Sequence, residues 1–85
     1  MSMEPIELPI EDSIDLHTFL PREVAGLVEE YLDQARLKGY REVRIIHGRG
    51  IGVQRRIVHS ILSRHPHVVS YRDETDRGST LVTLE

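Results

Sequence analysis

Two short segments of the 85-residue chain carry residues able to do chemistry. The first, Ile45–Val53, reads IIHGRGIGV, and places three of the chain's six glycines at Gly48, Gly50 and Gly52. His47 precedes them and Arg49 is threaded between them. A plain turn needs one or two glycines; three imply a backbone that must approach something closely. Glycine-rich backbone N–H groups can form an anion nest, and arginine's planar fork matches phosphate geometry better than a lysine point charge does. The second segment, SIDLHTF at Ser13–Phe19, holds Asp15 and His17. An aspartate can orient a histidine or activate water, and a histidine with a pKa of about 6.5 can act as acid or base.

The charge distribution points the same way. The net charge of −3 hides an asymmetry: residues 1–40 balance to −6, residues 41–72 to +6 and residues 73–85 to −3. Ten of the eleven basic residues are arginine, and the middle block carries seven of them with a single acid, Glu42. An acidic chain with one basic block implies an anionic partner, or else a solvated arginine-rich helix face. Four aromatic residues, Phe19, Tyr31, Tyr40 and Tyr71, offer little for stacking on unpaired bases. With no cysteine there is no disulfide framework and no thiolate metal site. No run reaches the ~18 apolar residues of a membrane span, and the first twelve residues do not form a secretory signal. A cytoplasmic setting is the default expectation.

The elements that must position these residues can be read in order. Residues 1–12, with Pro5, Pro9 and four acids, read as a flexible tail; residues 13–85 form one domain. Ser13–Leu16 is a short strand. A helix starts at Pro21, a favoured first helical residue, and Val24, Leu27, Val28, Tyr31, Leu32 and Ala35 share one face. Gly39 ends it. Glu42–His47 is a strand, and a second helix runs from about Val53 to about Arg64, closed by Pro66. Val68–Asp73 and Ser79–Leu84 are strands joined by Glu74–Gly78. The order β-α-β-α-β-β predicts a two-layer α/β sandwich, a four-stranded mixed sheet with both helices on one face.

In this order the glycine loop joins a strand's C-terminal end to a helix N-terminus, where α/β folds bind ligands and where free N–H groups favour phosphate. Arg55 and Arg56 add charge in the first turns of the second helix, and His59 on the same side is within reach of a phosphate. Because the first two strands lie side by side in a β-α-β unit, Asp15, His17 and His47 are expected to converge with the loop. Those parts suit phosphodiester hydrolysis, with arginines and N–H groups stabilising charge on phosphorus. The G-x-G-x-G spacing is neither a P-loop nor a dinucleotide fingerprint; Asp73 stands where a ribose-binding acid can sit, but the second half of a dinucleotide domain is missing. A loop that only shapes a tight connection, an Asp15 that only caps a turn, and His65 and His67 as plain loop residues are the bland alternatives.

These segments resemble a known family. SIDLHTF is similar to the LDLH motif, and IIHGRGIG followed by VQRRIVHSIL is similar to the HGKGTG motif and following helix, of the small MutS-related (Smr) domain. The resemblance spans about Ile14–Leu84. It implies an α/β sandwich, nucleic-acid binding and, in many members, nicking of DNA or cleavage of RNA. By position, Asp15 and His17 match the acidic motif; His47, Gly48, Arg49, Gly50 and Gly52 match the loop, with Arg49 where lysine is common; Arg55 and Arg56 match the basic helix start. Ile51 replaces the usual threonine, and a GGxGxT stretch is reduced to DRGST at Asp76–Thr80. The expected activity is endonuclease, with Asp15, His17 and His47 catalytic and DNA or RNA as the partner. Binding without cleavage, or contact with an acidic protein, are the rivals. A divalent ion, Mg²⁺ or Mn²⁺, is compatible with this site, although one carboxylate makes no all-protein cage; no organic cofactor and no membrane partner are implied.

Overall fold

The computed structural model describes residues 10–48, 52–75 and 78–85. Arg49, Gly50 and Ile51 of the glycine loop, and Asp76 and Arg77 of the last connection, lie outside them. The elements run β1 (Ser13–Asp15), α1 (Pro21–Leu37), β2 (Glu42–Ile46), α2 (Val53–Leu62), β3 (Val68–Asp73) and β4 (Ser79–Leu84). The two C-terminal strands have the expected bounds. Helix α2 stops two residues short of expectation, where Ser63 caps it with its N–H on the His59 carbonyl.

The sheet order is β1-β2-β4-β3. Strands β1 and β2 are parallel, with Asp15 opposite Ile46, whereas β4 is antiparallel to both β2 and β3. The crossover through α2 therefore leaves a gap beside β2, and the last strand fills it from the β3–β4 hairpin. The sheet is mixed for that reason. The edge strand β3 is irregular between Val68 and Ser70, a device that discourages further strand pairing.

Alternation along the strands assigns the two faces. Leu16, Val43, Ile45, Val82 and Leu84 are buried beneath Val24, Val28, Leu32, Val58, Ile61 and Leu62 of the helices. Removing apolar surface of this kind from water contributes about 25 cal/mol per Å² and is the main force holding the layers together. The opposite face presents Glu42, Arg44 and Thr83 to solvent, so it is polar, as an uncovered antiparallel face should be. Helix α1 begins with Pro21 at its first position, and the Glu23 carboxylate accepts the Leu20 N–H at 2.9 Å, satisfying a donor that the helix cannot.

Residues 10–12, expected to belong to the tail, are tied to the domain. The Tyr31 hydroxyl donates to the Glu11 carbonyl at 2.6 Å and the Tyr40 hydroxyl to the Ile10 carbonyl at 3.0 Å. The Arg44 N–H reaches the Asp12 carbonyl at 2.9 Å, and Ile10 packs against the core. These two tyrosines thus hold the chain's entry into β1, a role that their position in the sequence does not disclose.

Candidate functional site

The C-terminal ends of β1 and β2 lie side by side, with the Leu16 N–H on the Ile46 carbonyl at 2.7 Å. The chain turns immediately after β1, and Asp15 closes that turn. One oxygen, Oδ1, accepts the His17 backbone N–H at 3.0 Å and meets His17 Nδ1 at 2.5 Å. A carboxylate only accepts, so Nδ1 carries the hydrogen and Nε2 of a neutral ring has a free lone pair. The His17 ring hydrogen bond, then its backbone N–H, lowers the Asp15 pKa below the usual carboxylate value. Both side chains are open to solvent, 49% exposed for Asp15 and 60% for His17.

Gly48 abuts this pair: a Cβ on Gly48 would lie 3.4 Å from the Cβ of His17. Gly48 has φ 83° and Gly52, the residue capping α2, also has φ 83°, a region L side chains enter at a cost of about 1–2 kcal/mol. On the far side, the Gln54 side-chain amide donates to the Phe19 carbonyl, tying the first turn of α2 to the turn after β1. The Asp15–His17 pair, Gly48 and the α2 N-terminus therefore share one locality. Among the described residues, Arg56 in the first turn of α2 is exposed.

His47 turns the other way. Asp15 is opposite Ile46 in the register and so lies on the open face, while His47 continues the buried series Val43, Ile45 beneath the helices. It is 4% exposed. Its Nε2 is 2.9 Å from the Thr80 hydroxyl and its Nδ1 is 3.1 Å from the Gly48 carbonyl. The expected convergence thus divides: Asp15 and His17 meet beside Gly48, and His47 lies on the helix-covered face with Nδ1 against the Gly48 carbonyl.

Around His47 on the helix-covered face lies a polar cluster that the sequence alone does not assemble. Asp73 and Thr80 are opposite one another across β3 and β4, on the helix-covered face, and the Thr80 hydroxyl is 2.9 Å from Asp73 Oδ1. His59 Nε2 comes down from α2 to within 2.9 Å of the same oxygen and 3.2 Å of Thr80 Oγ1. One helical turn earlier, Arg55 clamps Asp73 Oδ2 with Nε at 2.9 Å and with Nη2. The Arg55 hydrogen bonds hold the Asp73 carboxyl at a pKa of about 2, with Thr80 and His59 adding to them against the opposing effect of burial. His59 packs edge-on against Tyr71, 5.2 Å between ring centres. Arg55 and His59, expected to face a phosphate, are engaged with Asp73. The available signal was the i, i+4 spacing of Arg55 and His59 opposite a hairpin that pairs Asp73 with Thr80.

The remaining polar residues are structural ties. Arg44 grips Glu74 on the open face, Nε to Oε1 at 2.5 Å, and lowers the Glu74 pKa together with the Ser79 hydroxyl. His65 Nε2 is 3.2 Å from Asp33 of α1, and His67 is 3.7 Å from Glu85. No helix among the described residues is long and apolar enough to cross a membrane.

Fold and site together define a two-layer α/β sandwich with an exposed Asp–His pair at the strand end that adjoins a glycine-capped helix. The Smr domain family model matches residues 14–85, and the chain belongs to that family. It is 43% identical over 76 residues to Endonuclease MutS2 of Clostridium botulinum, and 44% identical over 79 residues to Endonuclease MutS2 of Halalkalibacterium halodurans. Each match covers 88% of this chain and 10% of the relative, so the chain spans about a tenth of the length of these curated relatives. Among solved structures, the Smr domain of Thermus thermophilus MutS2 matches with a TM-score of 0.82 at 30% identity, over 86% of this chain and 96% of that one. YdaL, a stand-alone small MutS-related protein from Escherichia coli, matches with a TM-score of 0.83 at 26% identity, over 91% of this chain and 66% of that one.

Proposed function

We propose that this domain binds the backbone of DNA or RNA and cleaves a phosphodiester bond, with Asp15 and His17 as its catalytic pair. The observation that carries the reading is the 2.5 Å contact of Asp15 Oδ1 with His17 Nδ1. It leaves Nε2 as the acceptor on a His17 ring that is 60% exposed and whose Cβ adjoins Gly48. The backbone phosphate lies against the helix N-terminus, where unsatisfied N–H groups and the helix dipole favour negative charge, with Arg56 adding a cation. Water attacks phosphorus and passes a proton to His17 Nε2. Asp15 holds the ring in the productive tautomer and stabilises the imidazolium that forms. The P–O bond to the leaving sugar oxygen breaks, that oxygen takes a proton from solvent, and the imidazolium then releases its own. His47 contributes through the loop: its bonds to Thr80 and to the Gly48 carbonyl fix the end of β2 without touching substrate. The relatives named Endonuclease MutS2 support the reaction class.

Supercoiled plasmid and structured RNA, incubated with wild type and with His17→Ala, test this. General acid–base groups contribute about 10²–10⁴-fold, so His17→Ala cleaves at least about 100-fold more slowly while still binding. Wild type that binds but cuts neither substrate would leave a binding module. No binding near physiological salt would leave a protein-interaction module.

A further inference from the structure

We infer that His47, His59 and Asp73 form a binding site for one divalent transition-metal ion, on the helix-covered face of the sheet and separate from the Asp15–His17 pair. Each offers one ligand atom, and these atoms lie within 4.8 Å of one another. They arrive from three elements, the end of β2, the middle of α2 and the end of β3, so the fold holds them and no single flexible loop does.

Two of the three residues, His47 and Asp73, have outer contacts of the kind a metal site needs. Ligating histidines usually donate their second ring N–H to a carbonyl or carboxylate, and ligating carboxylates are themselves hydrogen-bonded. Here His47 Nδ1 faces the Gly48 carbonyl at 3.1 Å. A carbonyl only accepts, so the tautomer with Nδ1–H satisfies this contact and turns the Nε2 lone pair into the cluster. Asp73 gives Oδ2 to Arg55 and keeps Oδ1 for the cluster.

The contacts of the cluster also call for one more hydrogen or cation than neutral rings supply. With neutral rings, the His59 Nε2 hydrogen can be shared between Asp73 Oδ1 and Thr80 Oγ1, which lie at 2.9 and 3.2 Å. The Thr80 hydroxyl has one hydrogen, yet its oxygen sits 2.9 Å from Asp73 Oδ1 and 2.9 Å from His47 Nε2. With Nδ1–H on His47 one of those two contacts is left lone pair against lone pair; with Nε2–H instead, both are satisfied and Nδ1 is left lone pair against the Gly48 carbonyl. A cation among these atoms removes the conflict.

Two imidazoles and one carboxylate suit Zn²⁺, Co²⁺ or Mn²⁺, whereas Mg²⁺ prefers oxygen ligands and its own waters. Bonds of about 2.1 Å in a tetrahedral site put ligand atoms about 3.4 Å apart. The widest separation, no more than 4.8 Å, then closes by at most about 1.4 Å, within reach of ring tilts and a turn of the carboxylate. Three protein ligands leave a position for water, and His59 and Asp73 are about a quarter exposed, 25% and 22%.

The test uses the intact chain, with Co²⁺ read by visible absorption and Zn²⁺ read by the histidine-ring nitrogens of labelled protein. The expected result is saturation at one equivalent, Zn²⁺ displacing Co²⁺, and ring shifts at His47 and His59 Nε2 with His65 and His67 unmoved. His59→Ala and Asp73→Asn each weaken binding by more than about 10-fold, the size of loss that outer contacts alone produce; His65→Ala binds like wild type. No Co²⁺ band, ring shifts confined to His17, His65 or His67, or unchanged affinity in the variants would overturn the site and leave a proton on His47 or His59 as the missing charge. The ring spectra come from the unmodified chain, so a variant that fails to fold does not decide the outcome. Metal binding is read directly, so the result is independent of whether the domain cleaves nucleic acid.

Discussion

Asp15 and Asp73 are both paired with a histidine, and their surroundings give the two pairs different work. Around Asp15 water screens charge, and an exposed ion pair contributes little to stability. Its value lies in fixing which nitrogen of His17 is free. Asp73 is more enclosed, clamped by Arg55 and tied to Thr80 and His59, and its pKa falls to about 2. A carboxylate whose folded pKa is depressed contributes stability above its unfolded pKa, about 3.9, and that stability is lost as pH falls toward the folded value. Urea unfolding should therefore show wild type losing stability between about pH 4 and pH 2. Asp73→Asn starts about 2 kcal/mol lower at neutral pH and loses less over the same interval. Equal slopes for the two would mean that the Asp73 contacts add no net stability.

At the scale of elements, the tyrosine contacts with residues 10–12 extend the domain toward its N-terminus. Tyr31→Phe removes the donor to the Glu11 carbonyl and should cost about 1 kcal/mol, with faster hydrogen exchange at the start of β1 and little change in α2. Exchange that rises evenly over the whole chain would contradict a local anchor. These contacts also show what the sequence could and could not disclose. The helical face of Val24, Val28, Tyr31, Leu32 and Ala35 was legible because burial follows a period of 3.6. The strands were legible because β-branched residues alternate between turn residues. The position of β4 between β2 and β3 was not, since nothing local in Ser79–Leu84 names its neighbours. That insertion places Thr80 beside both Ile45 and Asp73, and the buried cluster depends on it. His47 was legible as chemically interesting, but the side it faces follows from strand alternation carried one residue past Ile46. The nearness of Asp15 and His17 was legible from their spacing, but it was expected from alternation along a strand to Leu16, whereas β1 ends at Asp15 and a turn makes the contact.

Across the whole molecule, the three charge blocks of the sequence fold back on one another. Arg55 and Arg44 of the basic block are held by Asp73 and Glu74 of the acidic C-terminal block. The +6 of residues 41–72 therefore overstates the charge presented to a polyanion. Removing one arginine that pairs with a phosphate should reduce the slope of log K against log salt by about 1. Arg56→Ala is expected to do so on duplex DNA or structured RNA, and Arg44→Ala to leave the slope unchanged. Identical slopes for Arg56→Ala and wild type would remove α2 from the phosphate site.

Whether the Asp15–His17 pair performs the cleavage is decided by the single-turnover rate of Asp15→Asn at saturating protein. Asparagine keeps the size of the side chain but cannot hold Nδ1–H of His17 as a carboxylate does or stabilise the imidazolium. If the pair is catalytic, the variant cleaves at least about 100-fold more slowly than wild type, with affinity for the same substrate unchanged. Cleavage as fast as that of wild type would exclude the pair from the reaction.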